Sequence, residues 1–183
     1  MSRRSSRLLA GVGVVDFVLG ALYWLSPESP VAIERDRQKP FRLDPDQPFE
    51  INHGTTYLPP GGGDEITIKF GGDVTVRRRE PHVPPQKQEE KFMSFKLSHE
   101  SLGEILRAID THRVVELHKS YEQKYTFDGI HKSVTIRQGE RVKKVVCKNH
   151  FPDEFEAFVT ELKAILDPYR AKAAWTAAKP DGW

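Results

Sequence analysis

The sequence predicts an α+β fold, with an antiparallel sheet of about five strands, two helices on one face and a preceding N-terminal transmembrane or signal helix. Apolar and polar residues alternate through much of 66–97 and 130–148, as is typical of half-buried strands. Each of these groups is followed by one amphipathic helical pattern, which predicts the two packed helices. A basic head followed by an apolar run from Leu8 to Leu25 predicts the N-terminal helix.

The length of the N-terminal apolar run decides between a tether and a cleaved signal. Spanning a bilayer takes about 20 apolar residues, whereas the core of a cleaved signal has about 7–15. Leu8–Leu25 is nearer the spanning length, and the prolines within residues 26–32 make a poor cleavage site. We therefore predict a signal anchor at residues 1–25, with a cytoplasmic N-terminus and a periplasmic or extracellular C-terminal domain. Cleavage, which would release a secreted protein, is the alternative.

Asp16 interrupts the apolar run. A carboxylate at the centre of a bilayer costs about 2.5–3.5 kcal/mol and usually faces a partner or a cavity. Asp16 is therefore either a tolerated polar residue of the anchor or a contact to a polar or basic group on another membrane helix. The second reading makes Asp16 a candidate partner-contact residue.

Three further zones follow the anchor. Residues 26–64 are rich in proline and end in glycines, which predicts an extended spacer with one short strand at Phe49–Ile51. Residues 65–166 carry the periodic patterns of a folded domain, which we expect to fold without the other zones. Residues 167–183 lose the periodicity and are rich in alanine and lysine, which predicts a flexible C-terminal tail.

The first half of the domain contains three predicted strands and one helix. The strands are expected at residues 66–70, 74–77 and 92–97, where apolar and polar residues alternate. Ser98 then offers a hydroxyl that can cap the first free amides of a helix. A short buried crossing at residues 114–117 follows this helix.

The second half contains a hairpin and the closing helix. Residues 121–128 are predicted as a loop, and residues 130–137 and 141–148 as two strands joined by a tight turn. Pro152 suits the first turn of the closing helix. Its apolar stripe comprises Phe155, Phe158, Val159, Leu162, Ile165 and Leu166.

This order of elements resembles a family of small secreted domains. The matching positions are Ile66–Gly72, Leu97 and Ser98 with Leu102, Ile105 and Leu106, Val115–Leu117, Val134–Gly139, and Pro152 with Phe155, Phe158 and Leu162. Over residues 65–166 the chain is similar to emfourin-type inhibitors of thermolysin-like metalloproteases and to related bacterial lipoprotein domains. The resemblance implies an α+β fold and an inhibitor-like function. The loop at residues 77–91 is longer here, and no inhibitory motif carries over residue by residue.

Composition argues against several classes of function. The net charge of +2 gives no strong field for nucleic acid. Cys147 is the single cysteine, so an internal disulfide and cysteine-based zinc or iron–sulfur sites are excluded. The seven histidines show no pair at helical ligand spacing. We therefore predict no catalytic residue, no cofactor and no metal site.

One catalytic alternative stays open. Cys147 and His150 are three residues apart at the end of a predicted strand, and a Cys–His pair can form a thiolate nucleophile. This arrangement would make the protein a small Cys/His hydrolase. The opposing interpretation is a buried thiol that packs as a small hydrophobic group.

The predicted function is a non-enzymatic, membrane-tethered module that binds an unknown protein partner. The face opposite the helices should present polar side chains, to which Thr135 and Arg137 of the later hairpin would add. The charged loop at residues 77–91 should lie beside it. The candidate contact residues are Thr67, Lys69, Thr75, Arg77, Arg78 and Arg79. An accessory subunit of a membrane complex, held by the N-terminal helix, is a further alternative.

Overall fold

A computed structural model describes five stretches of the chain: residues 31–34, 42–58, 62–80, 89–124 and 129–178. The predicted membrane helix at Leu8–Leu25, and Asp16 within it, lie outside the described residues. Over the stretches that are described, no helix is long and apolar enough to cross a membrane.

The described residues form a single sheet and two α-helices. In chain order the elements are β1 (Val31–Glu34), β2 (Glu50–Leu58), β3 (Gly62–Lys69), β4 (Asp73–Arg79), β5 (Glu90–Lys96), α1 (His99–Thr111), a 3-10 turn (Val114–Glu116), β6 (Ser120–Gln123), β7 (Gly129–Gln138), β8 (Arg141–Lys148) and α2 (Asp153–Arg170). The strands lie in the order β1-β6-β8-β7-β2-β3-β4-β5. Neighbours are antiparallel except β6 and β8, which are parallel, so the sheet is mixed.

The prediction of an antiparallel sheet of about five strands is therefore wrong. The sheet is mixed and has eight strands, because β1 and β2 form within the predicted spacer and β6 within a predicted loop. In β2 the inward positions after Ile51 are His53 and Thr55, and these polar residues hide the alternation that marks a half-buried strand. β1 and β6 have four residues each, too few to give a periodic signal.

Both helices pack on one face of the sheet. The Ser98 hydroxyl caps α1 by accepting a hydrogen bond from the Ser101 amide at 3.1 Å. Ile105 and Ile109 of α1 are fully buried in the core, as are Phe155 and Phe158 of α2. The apolar stripes of the two helices therefore meet the inward-facing residues of the strands.

The C-terminal segment reaches one edge of the sheet. α2 continues through Pro168 to Arg170 and does not end at Leu166. Beyond it, Thr176 forms a bridge with Phe92 of β5, with N–H···O distances of 2.7 and 2.8 Å in the two directions. Since an exposed edge strand can pair with other chains, this bridge protects part of the β5 edge.

Candidate functional site

The face of the sheet opposite the helices, here called the open face, is polar. Alternate residues of five neighbouring strands, which are β4, β3, β2, β7 and β8 in spatial order, point to it. One residue from each of these strands lies directly opposite the next, so that the five form a row across the sheet. That row consists of Thr75, Thr67, Asn52, Thr135 and Lys144. The open face holds a concavity of about 520 Å³, in which all but Thr75 of this row line the surface.

The candidate contact residues divide between the two faces. Lys69, Arg77 and Arg79 line the concavity of the open face together with Thr67. Thr67 is only 8% exposed, so its side chain belongs to the floor of the concavity. Arg78 is on the helix side, because successive residues of a strand point to opposite faces. Residues 81–88 of the predicted contact loop, like Asp16, lie outside the described residues.

Small residues make the floor of the concavity. Gly54 in β2 lies opposite Ser133 of β7, and a Cβ at Gly54 would come within 3.2 Å of the Ser133 Oγ. Gly63 of β3 has φ of +153°, and a Cβ there would meet the Thr55 carbonyl oxygen at 1.9 Å. The backbone thus requires glycine at position 63. Because Gly54 and Gly63 have no side chains, the floor of the concavity lies below the long charged side chains around it.

A short chain of hydrogen bonds runs across the floor. The Thr67 hydroxyl donates to Asn52 Oδ1 at 2.6 Å, and Asn52 Nδ2 donates to Glu50 Oε1 at 2.8 Å. These hydrogen bonds fix the orientation of the Asn52 amide and engage the carboxylate of Glu50 at the border of the concavity. Asn52 and Glu50 were missed as site residues because the sequence predicts only a short strand, Phe49–Ile51, in the spacer and does not place it in the sheet. The signal for them was the alternation that starts at Phe49, where Phe49 and Ile51 are both buried.

The charges around the concavity are unevenly compensated. Arg77 pairs with Glu65 of β3 and, at 3.2 Å, with Glu90 of β5. Arg137 of β7 and Lys144 of β8 are exposed, and within the described parts of the chain neither forms an ion pair. The acidic side chains are therefore engaged locally, and the β7–β8 side of the open face presents uncompensated positive charge.

The contacts of Arg78 stabilise the fold and do not belong to the open face. Its guanidinium donates two hydrogen bonds to the Asp64 carboxylate, at 2.8 and 2.9 Å, and lies 4.6 Å from the centre of the Trp175 ring. The hydrogen bonds to Asp64 raise the pKa of Arg78. A bidentate pair with an additional cation–π contact orders both side chains. Arg78 thus joins the C-terminal segment to the sheet.

The surroundings of Cys147 do not suit a nucleophile. The side chain is fully buried, and burial raises the pKa of its thiol to about 12. A reactive cysteine needs a lowered pKa. The His150 ring packs near Tyr121, with ring centres 6.2 Å apart, and among the described residues no hydrogen bond joins Cys147 to His150. The described stretches also contain no group of three or more metal-ligating side chains.

His53 lies on the helix side of β2, beneath the floor. It is 2% exposed, and its Nδ1 lies 3.0 Å from the Ser133 carbonyl oxygen, so Nδ1 carries the proton of the neutral ring. Burial lowers the pKa of His53 to about 4, an effect that Lys163 and Lys132 reinforce while the Ser133 hydrogen bond and Glu156 oppose it. The centre of the sheet therefore contains a histidine that is neutral in the folded protein.

We expect this histidine to make stability pH-dependent. In the unfolded chain His53 protonates near pH 6.5, whereas in the folded protein it does so near pH 4. The unfolded state binds the additional proton in this window, so the free energy of unfolding should fall by about 3 kcal/mol as pH is lowered across it. Urea unfolding at successive pH values measures the slope.

Two variants isolate the contribution of His53. His53→Gln should remove most of the slope between pH 6.5 and 4 and leave the smaller contribution of other groups, among them His131, whose pKa burial also lowers. His99→Gln, at an exposed position in the first turn of α1, should keep it. Equal slopes in all three proteins would contradict the assignment, and so would an NMR titration of the His53 ring near pH 6.5.

No protein-family model matches the chain, and the search of curated proteins gives no match. The functional interpretation of the open face therefore rests on the residues and geometry described above.

Proposed function

We propose that this protein is a membrane-tethered, externally facing, non-enzymatic module that binds another protein through its open face. The observation that carries the proposal is the concavity of about 520 Å³, whose small polar floor is bordered by charged side chains on neighbouring strands. Inhibition of a protease, which the sequence resemblance implies, is one form of such binding.

The chemistry of the concavity supports binding rather than catalysis. Its hydroxyl, amide and charged groups can hydrogen-bond to a polar surface, and the Thr67–Asn52–Glu50 chain holds part of the floor in place. A preorganised floor loses little conformational entropy when a partner docks. The buried Cys147 thiol is on the opposite side of the sheet, so the Cys/His alternative gains no support from this site.

The tether is supported by the sequence. The apolar run Leu8–Leu25 is near spanning length, and the arginines before it favour a cytoplasmic N-terminus. Residues 26–30 then separate this run from β1. The proposal therefore places the domain at the external surface of a cell membrane, with an unknown protein partner and no nucleic acid.

Co-purification from native membranes tests both parts of the proposal. The full chain, tagged at its C-terminus, should sediment with membranes, retain its N-terminal sequence and bring down a stoichiometric partner after detergent extraction. Ser133→Trp places an indole on the floor and should abolish the partner band. Ala164→Trp, at an exposed position of α2 on the helix side, is the matched control and should retain it.

Other outcomes would contradict the proposal. A soluble form that begins near Val31 would overturn the tether. A partner retained by Ser133→Trp but lost in Asp16→Asn would favour the accessory-subunit alternative, in which the membrane helix makes the contact.

A further inference from the structure

We propose that the partner segment held by the open face is an acidic, extended polypeptide, which docks first on Arg137 and Lys144. This inference rests on the proposed function and specifies the chemistry of the partner. It is carried by the difference between the engaged acidic groups and the uncompensated basic groups of the open face.

The acidic side chains around the concavity are already engaged. Glu50 accepts a hydrogen bond from Asn52, and Glu65 pairs with Arg77. Asp64, which is opposite Arg78 in the strand register, points with it to the helix side and accepts both hydrogen bonds of the Arg78 guanidinium. A partner that approaches this face therefore meets Glu65 already paired with an arginine, whereas Glu50 is held by a neutral amide and keeps its charge.

Arg137 and Lys144, on the β7–β8 side of the open face, in contrast form no ion pair with other described residues. Arg137 lies directly opposite Glu50 in the strand register, yet the two form no ion pair, and the described residues provide none for Lys144. Lys144 is opposite Thr135, which makes it a diagonal neighbour of Arg137 at about 7–8 Å. Two exposed cations at this spacing match carboxylates on alternate residues of an extended strand.

The extent of the concavity favours a polypeptide over a small anion. Glu50 and Thr56 of β2 both line it, so the floor runs about 20 Å along the strand. Arg79 borders the far end, where it lies 3.9 Å from Glu90. A single phosphate or sulfate reaches one end only, whereas about six extended residues cover the length.

The floor also favours a polypeptide over a lipid surface. A bilayer surface is flat and cannot follow a concave sheet, whereas peptide amides can hydrogen-bond with the hydroxyl and amide groups of Asn52, Ser133 and Thr135. Charge complementarity at the rim would raise the association rate and make binding sensitive to salt.

A direct binding measurement tests the inference. Full-length protein in a non-ionic detergent is titrated into a fluorescein-labelled ten-residue peptide of alternating glutamate and serine, and fluorescence anisotropy is recorded. We expect binding at low salt that weakens at least tenfold at 300 mM NaCl. The double variant Arg137→Glu/Lys144→Glu should weaken binding at least tenfold, and Arg137→Gln/Lys144→Gln should weaken it by a smaller factor.

The matched control is Arg107→Glu/Lys172→Glu, which makes the same change in charge at exposed positions on the helix side. It should change the dissociation constant less than twofold. Equal losses in the two glutamate doubles would overturn the inference, because the peptide would then sense net charge alone. Thermal unfolding of each variant checks that it is folded.

Three further results would overturn the inference but leave the proposed function standing. In the first, the peptide does not bind the wild type, while Ser133→Trp still loses the co-purified partner. In the second, vesicles of phosphatidylglycerol and phosphatidylcholine bind through Arg137 and Lys144 and the peptide does not compete, which would assign these residues to a lipid surface. In the third, inorganic phosphate at millimolar concentration displaces the labelled peptide as effectively as unlabelled peptide does, which would exclude an extended ligand.

Discussion

A chain shortened to residues 65–183 is expected to remain unfolded, although the sequence alone predicts that the domain folds without the spacer. The reason is the position of β2, which pairs with β7 on one side and β3 on the other. Removing β2 separates the sheet into two parts and leaves the backbone groups of both neighbours unpaired.

The energetic cost exceeds what a small domain can lose. Phe49 and Ile51 are buried, and each such side chain contributes about 1.5–3 kcal/mol in addition to the lost strand hydrogen bonds. The total stability of a domain is about 5–15 kcal/mol. The far-ultraviolet circular dichroism of the truncated chain should therefore lack a cooperative thermal transition.

A chain that begins at residue 42 is the matched control. It keeps β2 and the contacts between Asp44 and Gln138 but lacks β1, a four-residue edge strand whose Val31 and Ile33 are exposed. We expect this chain to fold cooperatively. A cooperative transition in the chain that starts at residue 65 would show that β2 is dispensable and contradict the sheet order.

Phe158→Ala should lower the free energy of unfolding by about 3–5 kcal/mol. The Phe158 side chain is fully buried in the layer between α2 and the sheet, so truncation removes apolar contacts and leaves a cavity. Urea unfolding of the chain that begins at residue 42 measures the change.

Phe70→Ala provides the comparison within the same protein. Phe70 is 45% exposed and meets Phe49 edge to face, with ring centres 5.7 Å apart. An aromatic pair of this kind contributes about 0.5–1.5 kcal/mol, so the cost should be much smaller. A loss below about 1 kcal/mol for Phe158→Ala would mean that α2 presents a different face to the core.

The elements that could be predicted from the sequence are those whose buried positions are apolar. Ile66 and Ile68 of β3 mark their strand by alternation, and the stripe of α2 marks its helix. In β2 the same alternation marks only the start of the strand at Phe49 and Ile51, because the next inward residue, His53, is buried by virtue of its hydrogen bond to Ser133 rather than by hydrophobicity. Tertiary contacts of this kind leave no periodic trace in a sequence.

The candidate site was predictable to the same extent. Strand alternation places Thr67, Lys69, Thr75 and Arg77 on the open face, and in the structure these four residues lie on that face. The alternation also required Arg78 to face the helices, but this became apparent only because β4 extends to Arg79 and does not end at Arg77. Lys144 was missed although the predicted hairpin already pairs its strand with that of Arg137, because the sequence analysis did not assign the residues of the second strand to faces of the sheet.

The claim that the open face makes the partner contact is tested most directly by site-specific photocrosslinking in intact cells. A benzophenone amino acid at Thr135 lies within the concavity, and the same group at Ala164 lies on the solvent side of α2. The account predicts one discrete adduct from position 135, sensitive to the Ser133→Trp substitution, and no adduct from position 164. An adduct from position 164 alone, or one from position 135 that persists in the Ser133→Trp background, would contradict it.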